Sequence, residues 1–426
     1  MTDAVPPQDD SPPPVPPLPT MSAVEPAGAA VLEGQSPLEG PASLEQQGSL
    51  ERQGSLEGPR TGQPISTPEL PRENASAEGR RCWYCGVAEA IGWFLGTLFV
   101  HLSAGVFVFV ALIVIVAIRT GTVRTDFHDP QSMLIVTAGE MAFFVLAAML
   151  AVSVRYWGRT FQELNFARPD LKHLAIVIGG TLPLSFCVSA CSLPFHLGWQ
   201  AITEQFPELK FFDSMNAMEM VKEMSETTPL LLMIVIVAAL PAIGEELIFR
   251  GAIGRVLIAN LGVWGGVILT SVLFGGVHLH PVHALSVIPL GVAMHVIYLW
   301  TRSFWMPMLL HFLNNSWAAV TVRIEAGDPF GEGMHPTSLE WLEIATAAVA
   351  VVALTIGLWQ SRVRYIQEDG HEWKSARFPI RVPPRDTIHR QSAPINSTCW
   401  YVAVASVVVC HSIVAIDLVG SMLAAN

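Results

Sequence analysis

The 426-residue chain is 51% apolar and only 14% charged, at a mean hydropathy of +0.44, where a globular chain carries roughly 25% charge. That balance excludes a soluble dinucleotide-binding enzyme or DNA-binding domain and describes a polytopic membrane protein. The net charge of −12 is uneven: residues 1–79 hold twelve carboxylates against Arg52, Arg60 and Arg72, which leaves no basic surface for nucleic acid elsewhere.

Residues 1–80 carry 15 of the 31 prolines and no sustained apolar stretch. Between Leu38 and Leu56 leucine recurs every six residues, a period that fits neither a helix nor a coiled coil. A disordered, acidic, proline-rich tail is expected there, serving as a spacer or as a proline-run ligand. No charged segment precedes a short apolar core, so no conventional signal peptide is expected. Cys82 and Cys85 form a single C-x-x-C, which reads as a juxtamembrane cysteine pair rather than a zinc site.

From Phe94 onward apolar blocks of spanning length follow one another. Residues 81–224 hold three expected spans: Phe94–Ile118, Ser132–Val154, which contains Glu140, and Leu174–Leu197, broken by Pro183 and Pro194. A polar stretch, Gln200–Thr228, leads into a tight cluster over residues 225–325: Pro229–Ile258, Val263–Leu279, Ala284–Trp300 and Trp305–Val322. Residues 326–426 add Leu342–Leu358 and Cys399–Leu423, separated by a basic, proline-bearing loop. The fold class is therefore all-α, a transmembrane helical bundle of eight or nine spans. With the N-terminus inside, 19 of the 24 Lys and Arg residues fall on the inner side. The positive-inside rule then gives a multi-pass protein of the cell membrane with a cytoplasmic N-terminus.

An ionisable side chain at mid-bilayer costs roughly 2.5–3.5 kcal/mol, so each needs a reason. Glu245, Glu246 and Arg250 stand together in the fourth span. Glu246 and Arg250 are four apart on one helical face and can neutralise each other. Glu245 points about 100° away and lacks that partner. It is either a general base or a carboxylate that reaches water. Positions 245 and 278 are equidistant from Leu261–Gly262, where a turn is expected, so an antiparallel hairpin brings Glu245 and His278 level. His278 is then a partner for holding water, or a histidine satisfied within the bundle. His311 and Asn315, four apart in the seventh expected span, offer donors suited to an oxyanion or to plain interhelical bonding. Tilt or a kink near Pro307 must bring His311 to the depth of His278. His280, His283 and His295 are neighbours from which a metal site is conceivable, and Glu140 has no assigned partner. The zinc motif H-E-x-x-H, paired aspartate motifs and a G-x-S-x-G serine elbow are all missing from the sequence.

The ordered trio E-E-x-x-x-R (Glu245, Glu246, Arg250), F-x-x-x-H (Phe274, His278) and H-x-x-x-N (His311, Asn315) resembles the CPBP family of intramembrane proteases. That family includes type II CAAX prenyl endopeptidases and bacteriocin-processing proteins. The run W-x-P-x-L-L-H-x-x-x-N, Trp305 to Asn315, resembles its third motif. The resemblance covers residues 225–325 and implies a metal-independent glutamate endopeptidase that needs no cofactor. On that pattern Glu245, aided by His278, activates water, His311 and Asn315 form the oxyanion site, and Glu246 with Arg250 supports the helix. The implied partners are the lipid bilayer and a peptide or protein substrate at the membrane, a prenylated C-terminus being the family's own case. The alternative is a proton-coupled transporter, immunity or scaffold protein that uses the same polar residues without chemistry. The absence of a second E-E-x-x-x-R in the first three spans weighs against two similar transporter halves.

Overall fold

The computed structural model describes residues 83–123, 129–225, 227–324, 338–375, 382–383 and 388–424. The expected tail and Cys82 lie outside the described residues, while Cys85 is an exposed free thiol. Helix α1 (Trp83–Thr120) has 38 residues. At about 57 Å it outruns a hydrocarbon layer of about 30 Å. Helix α2 (Pro130–Arg155) starts on Asp129, whose carboxylate accepts from the Ser132 N–H at 3.0 Å, with proline at the first helical position. After the short α3 (Thr160–Leu164) comes α4 (Leu171–Gln205), which runs unbroken through Pro183 and Pro194. The break expected at those prolines does not occur. Hydroxyls of Thr181, Ser185 and Ser192 bond main-chain carbonyls around them, and Pro183 is buried among packed neighbours.

A 3₁₀ segment (Pro207–Met215) and α5 (Ala217–Ser225) form the polar connection. The next stretch is helical from Leu230 to Gly276 but not uniformly so. It runs as α6 (Leu230–Ile234), a widened π-type segment (Val235–Ala239), α7 (Leu240–Glu246), a second π-type segment (Leu247–Ile253) and α8 (Gly254–Gly276). Inside α8 the chain reverses at Gly262, whose φ of 75° suits glycine. This is the turn expected at Leu261–Gly262. Gly266 then packs against the returning backbone, where a β-carbon would stand 2.4 Å from the Ile258 nitrogen. Helices α9 (Pro281–Ser286), α10 (Ile288–Thr301) and α11 (Trp305–Ile324) complete the cluster. Helices α12 (Ser338–Gln360) and α13 (Ser397–Ala424) pack on each other, and α12 also lies on α4.

Among the described residues seven helical segments are long and apolar enough to cross a membrane, and the chain is an integral membrane protein. The fourth segment, Leu230–Gly276, contains two of the expected spans, divided at Gly262. Helix α11, expected as a span, is not among the seven, because His311, Asn314, Asn315 and Arg323 lower its hydropathy. The loop expected between the last two spans carries an antiparallel hairpin, β1 (Val363–Ile366) with β2 (His389–Ser392), in which Arg364 pairs with Gln391.

The buried core centres on the α7–α8 stretch. Phe249, Ile253, Leu257, Phe274 and Met294 are sealed from solvent there. Gly244 touches Phe144 of α2 so closely that a β-carbon would lie 2.6 Å from its ring, which draws the helix bearing both glutamates against α2.

Candidate functional site

The two adjacent glutamates lie between two π-type segments, a widened geometry often found where a helix carries function. Glu246 is fully buried and Arg250 is 1% exposed. Their ion pair closes at 2.7 Å, as four-residue spacing predicted. Arg250 also donates to the Gly291 carbonyl of α10 at 3.0 Å and lies 4.8 Å over the Phe274 ring. Its positive charge is thus shared by a carboxylate, a carbonyl and a π-face. The group holds three helices together.

Glu245 is 7% exposed, and its Oε2 has no hydrogen-bond partner among the described residues. What faces it is His311 of α11. The imidazole Nδ1 lies 3.0 Å from Glu246 Oε1, and Nε2 lies 3.9 Å from Glu245 Oε2. One ring therefore spans both carboxylates. With Nδ1–H given to Glu246, Nε2 is an acceptor in the neutral ring and a donor in the imidazolium.

His278 follows α8, and its main-chain N–H is bonded to the Gly275 carbonyl. Its ring stands perpendicular to Phe274 at 5.7 Å, and His311 stands perpendicular to the same ring at 5.7 Å. Phe274 thus packs against both imidazoles. No hydrogen bond or ion pair joins Glu245 to His278 among the described residues, and His278 Nε2 is buried without a partner. The hairpin argument brings His278 level with Glu245; the ring that lies against the two glutamates is His311. His278 instead stacks on His283 at 4.4 Å, nearly parallel.

Asn315, one turn beyond His311, donates to the Val237 carbonyl at 3.3 Å. Val237 sits in the first π-type segment, where the widened ladder frees carbonyls for outside donors. Its neighbour Asn314 accepts from Ser185 of α4 at 2.8 Å. Of the other histidines, His280 approaches Asp213 at 3.5 Å and His295 is buried against Gly291. Among the described residues no three His, Cys, Asp or Glu side chains are grouped to share a metal ion.

The sequence leaves Glu140 without an assigned partner. This carboxylate pairs with His101 of α1, at 3.0 Å. His101 itself was not singled out, although an ionisable residue within the most hydropathic span was the available signal.

Arranged this way, the site offers a carboxylate with a free oxygen, an imidazole that can give or take a proton, and a nearby amide donor. Such a set can polarise water and stabilise negative charge on an oxygen. No curated protein and no solved structure matches the chain. The family model described as "Type II CAAX prenyl endopeptidase Rce1-like" matches residues 227–317, the stretch from the approach to α6 through the His311–Asn315 turn. This segment, which carries every residue of the E-E-x-x-x-R, F-x-x-x-H and H-x-x-x-N trio, is similar to the Rce1-like type II CAAX prenyl endopeptidase family.

Proposed function

We propose that this chain is an intramembrane endopeptidase in which Glu245 is the general base for water attack on a peptide carbonyl. The observation that carries the reading is the division of labour between adjacent carboxylates. Each carboxylate leaves its Oε2 without a hydrogen-bond partner among the described residues, but Glu246 Oε1 is committed to Arg250 and His311, whereas Glu245 has only the 3.9 Å approach of the same imidazole. A structural ion-pair network needs only the first. The second is the arrangement of a base.

In the proposed reaction Glu245 takes a proton from water as the hydroxide oxygen attacks the carbonyl carbon. The carbonyl π-electrons move to oxygen and give a tetrahedral oxyanion. Asn315 Nδ2 and, as the imidazolium, His311 Nε2 donate to that oxyanion. Collapse breaks the C–N bond, and the proton held by Glu245 passes to the leaving amine. His278, with its free Nε2, helps to hold the water. The cycle uses no cofactor and no metal ion. The N-terminus is assigned to the cytoplasmic side of the cell membrane by the Lys and Arg distribution.

The substrate class follows from the family and from an apolar groove of about 530 Å³ between α1 and α2, lined by Trp93, Gly96, Val100, Phe144, Ala148 and Ile248. Ile248 belongs to the same continuous helical stretch as Glu245 and Glu246, and the groove would take the lipid chain of a substrate whose peptide is cut at that stretch. We therefore assign a lipidated, CAAX-type C-terminus as substrate. The test compares C-terminal peptides in cells with and without the gene. Accumulation of uncut, prenylated C-termini on deletion is expected, and an unchanged set of C-terminal peptides would overturn the assignment.

A further inference from the structure

We infer that His101 and Glu140 form a positioning pair for Glu245, supplied by two helices outside the family-matched segment and resting on the proteolytic reading above. His101 Nδ1 lies 3.0 Å from Glu140 Oε1, one residue on α1 and the other on α2. Neither is deeply buried: side-chain exposure is 18% and 25%. Both nonetheless stand within strongly apolar spans, where each ionisable group is costly. The bundle would hold as well, or better, with a packed apolar pair at these positions.

The pair connects to the site through two contacts. The His101 ring lies on the Phe144 ring at 4.0 Å, inclined by 31°. Phe144, 1% exposed, presses on Gly244 so tightly that no β-carbon fits there. Gly244 immediately precedes Glu245. The chain of contact from Glu140 through His101 and Phe144 to the Gly244 backbone therefore sets the depth at which Glu245 meets its substrate. Glu140 fixes the imidazole orientation by holding Nδ1. The dyad is thus a support for the base, delivered from the groove side of the bundle.

The experiment uses the full chain in phosphatidylcholine vesicles and an internally quenched peptide ending in a farnesylated CAAX sequence. His101→Gln and Glu140→Gln are each expected to lower kcat about 10²-fold, the scale of a displaced catalytic group, with KM unchanged. The double variant is expected to be no worse than the poorer single, as for residues acting as one unit. A purely structural pair would instead lower the melting temperature and leave kcat per folded molecule intact, and that result overturns the inference, as does loss of folded protein in both single variants. Glu245→Gln is measured alongside. If it is inactive while His101→Gln and Glu140→Gln cleave like wild type, only the positioning role fails. If Glu245→Gln cleaves fully, or the wild-type chain does not cleave the peptide, the proteolytic reading fails and the inference with it.

Discussion

His311 places one imidazole against two neighbouring carboxylates, Nδ1 at 3.0 Å from Glu246 and Nε2 at 3.9 Å from Glu245. The closer contact is a hydrogen bond and the longer one is not. Glu246 therefore orients the ring, and the nitrogen facing Glu245 stays available for a third group. Adjacent residues of one type acquire different tasks through this asymmetry.

The asymmetry predicts that Glu246→Gln is chiefly a folding defect. Arg250 is 1% exposed and would keep its charge without a carboxylate. Breaking a buried pair on one side costs roughly 3–5 kcal/mol. Monodisperse protein recovered by size-exclusion chromatography in detergent is expected to fall sharply, with activity falling too. Wild-type yield and melting temperature in this variant would refute the structural role.

The hairpin turn gives a second prediction. A β-carbon at Gly266 would lie 2.4 Å from the Ile258 nitrogen and 2.5 Å from its Cα, both backbone atoms that cannot step aside. Gly266→Ala is expected to destabilise by roughly 1–3 kcal/mol or more through overpacking. Gly92→Ala, with nothing within 4 Å of its new carbon, is expected to leave stability unchanged or slightly higher. Thermal unfolding of the two variants in the same detergent separates them.

Much of this architecture was legible because membrane sequence is written in long apolar blocks. The spans around Glu140, Glu245 and His295 appear where their hydropathy put them, and the reversal at Gly262 follows from the Asn260–Leu261–Gly262 run. The Glu246–Arg250 pair was readable because four-residue spacing fixes it locally. Three features were not legible. The π-type segments shift helix faces through tertiary packing that no local pattern records. The approach of His311 to Glu245 depends on how α11 packs against the glutamate-bearing helix. The β1–β2 hairpin is held by distant partners: Lys172 donates to the Ala393 carbonyl and Asn165 to the Tyr365 hydroxyl.

That hairpin carries a pH prediction. Asp170, ahead of α4, has burial working to raise its carboxyl. Hydrogen bonds from Arg390 and Ser392, with the charges of Arg390 and His173, outweigh this and hold it below the usual carboxylate value. A depressed folded value stabilises above the unfolded pKa of about 3.9 and loses that contribution as pH falls through the folded value. The Arg390 contact measures 2.6 Å but is a quarter exposed, so it contributes at most about 1 kcal/mol. The stability difference between wild type and Arg390→Gln is expected to be constant from pH 7 to about 5 and to shrink as pH falls further through the depressed folded value. A difference that does not shrink at all below about pH 5 would show that the contact does not depend on the Asp170 charge.

Glu245 supplies the decisive prediction, because its proposed task is to take a proton and nothing in the structure gives it a packing role of comparable weight. Its Oε2 accepts no hydrogen bond among the described residues, and the imidazole nitrogen facing it stands 3.9 Å away. Glu245→Gln keeps the shape and removes the base. Cleavage of a farnesylated CAAX peptide is expected to disappear while yield and melting temperature stay near wild type, the reverse of Glu246→Gln. Asn315→Ala is expected to lose about 10²–10³ in kcat as an oxyanion donor is removed. His278→Ala is expected to resemble Glu245→Gln, since its free Nε2 is the second group proposed to hold the water. A zinc chelator is expected to leave the wild-type rate unchanged, because the proton is taken by a carboxylate and not by metal-bound hydroxide. Chelator inhibition reversed by added zinc would transfer the activation of water to a metal ion. Full cleavage by Glu245→Gln would remove the base altogether and leave proton transport as the better account of a carboxylate at this depth.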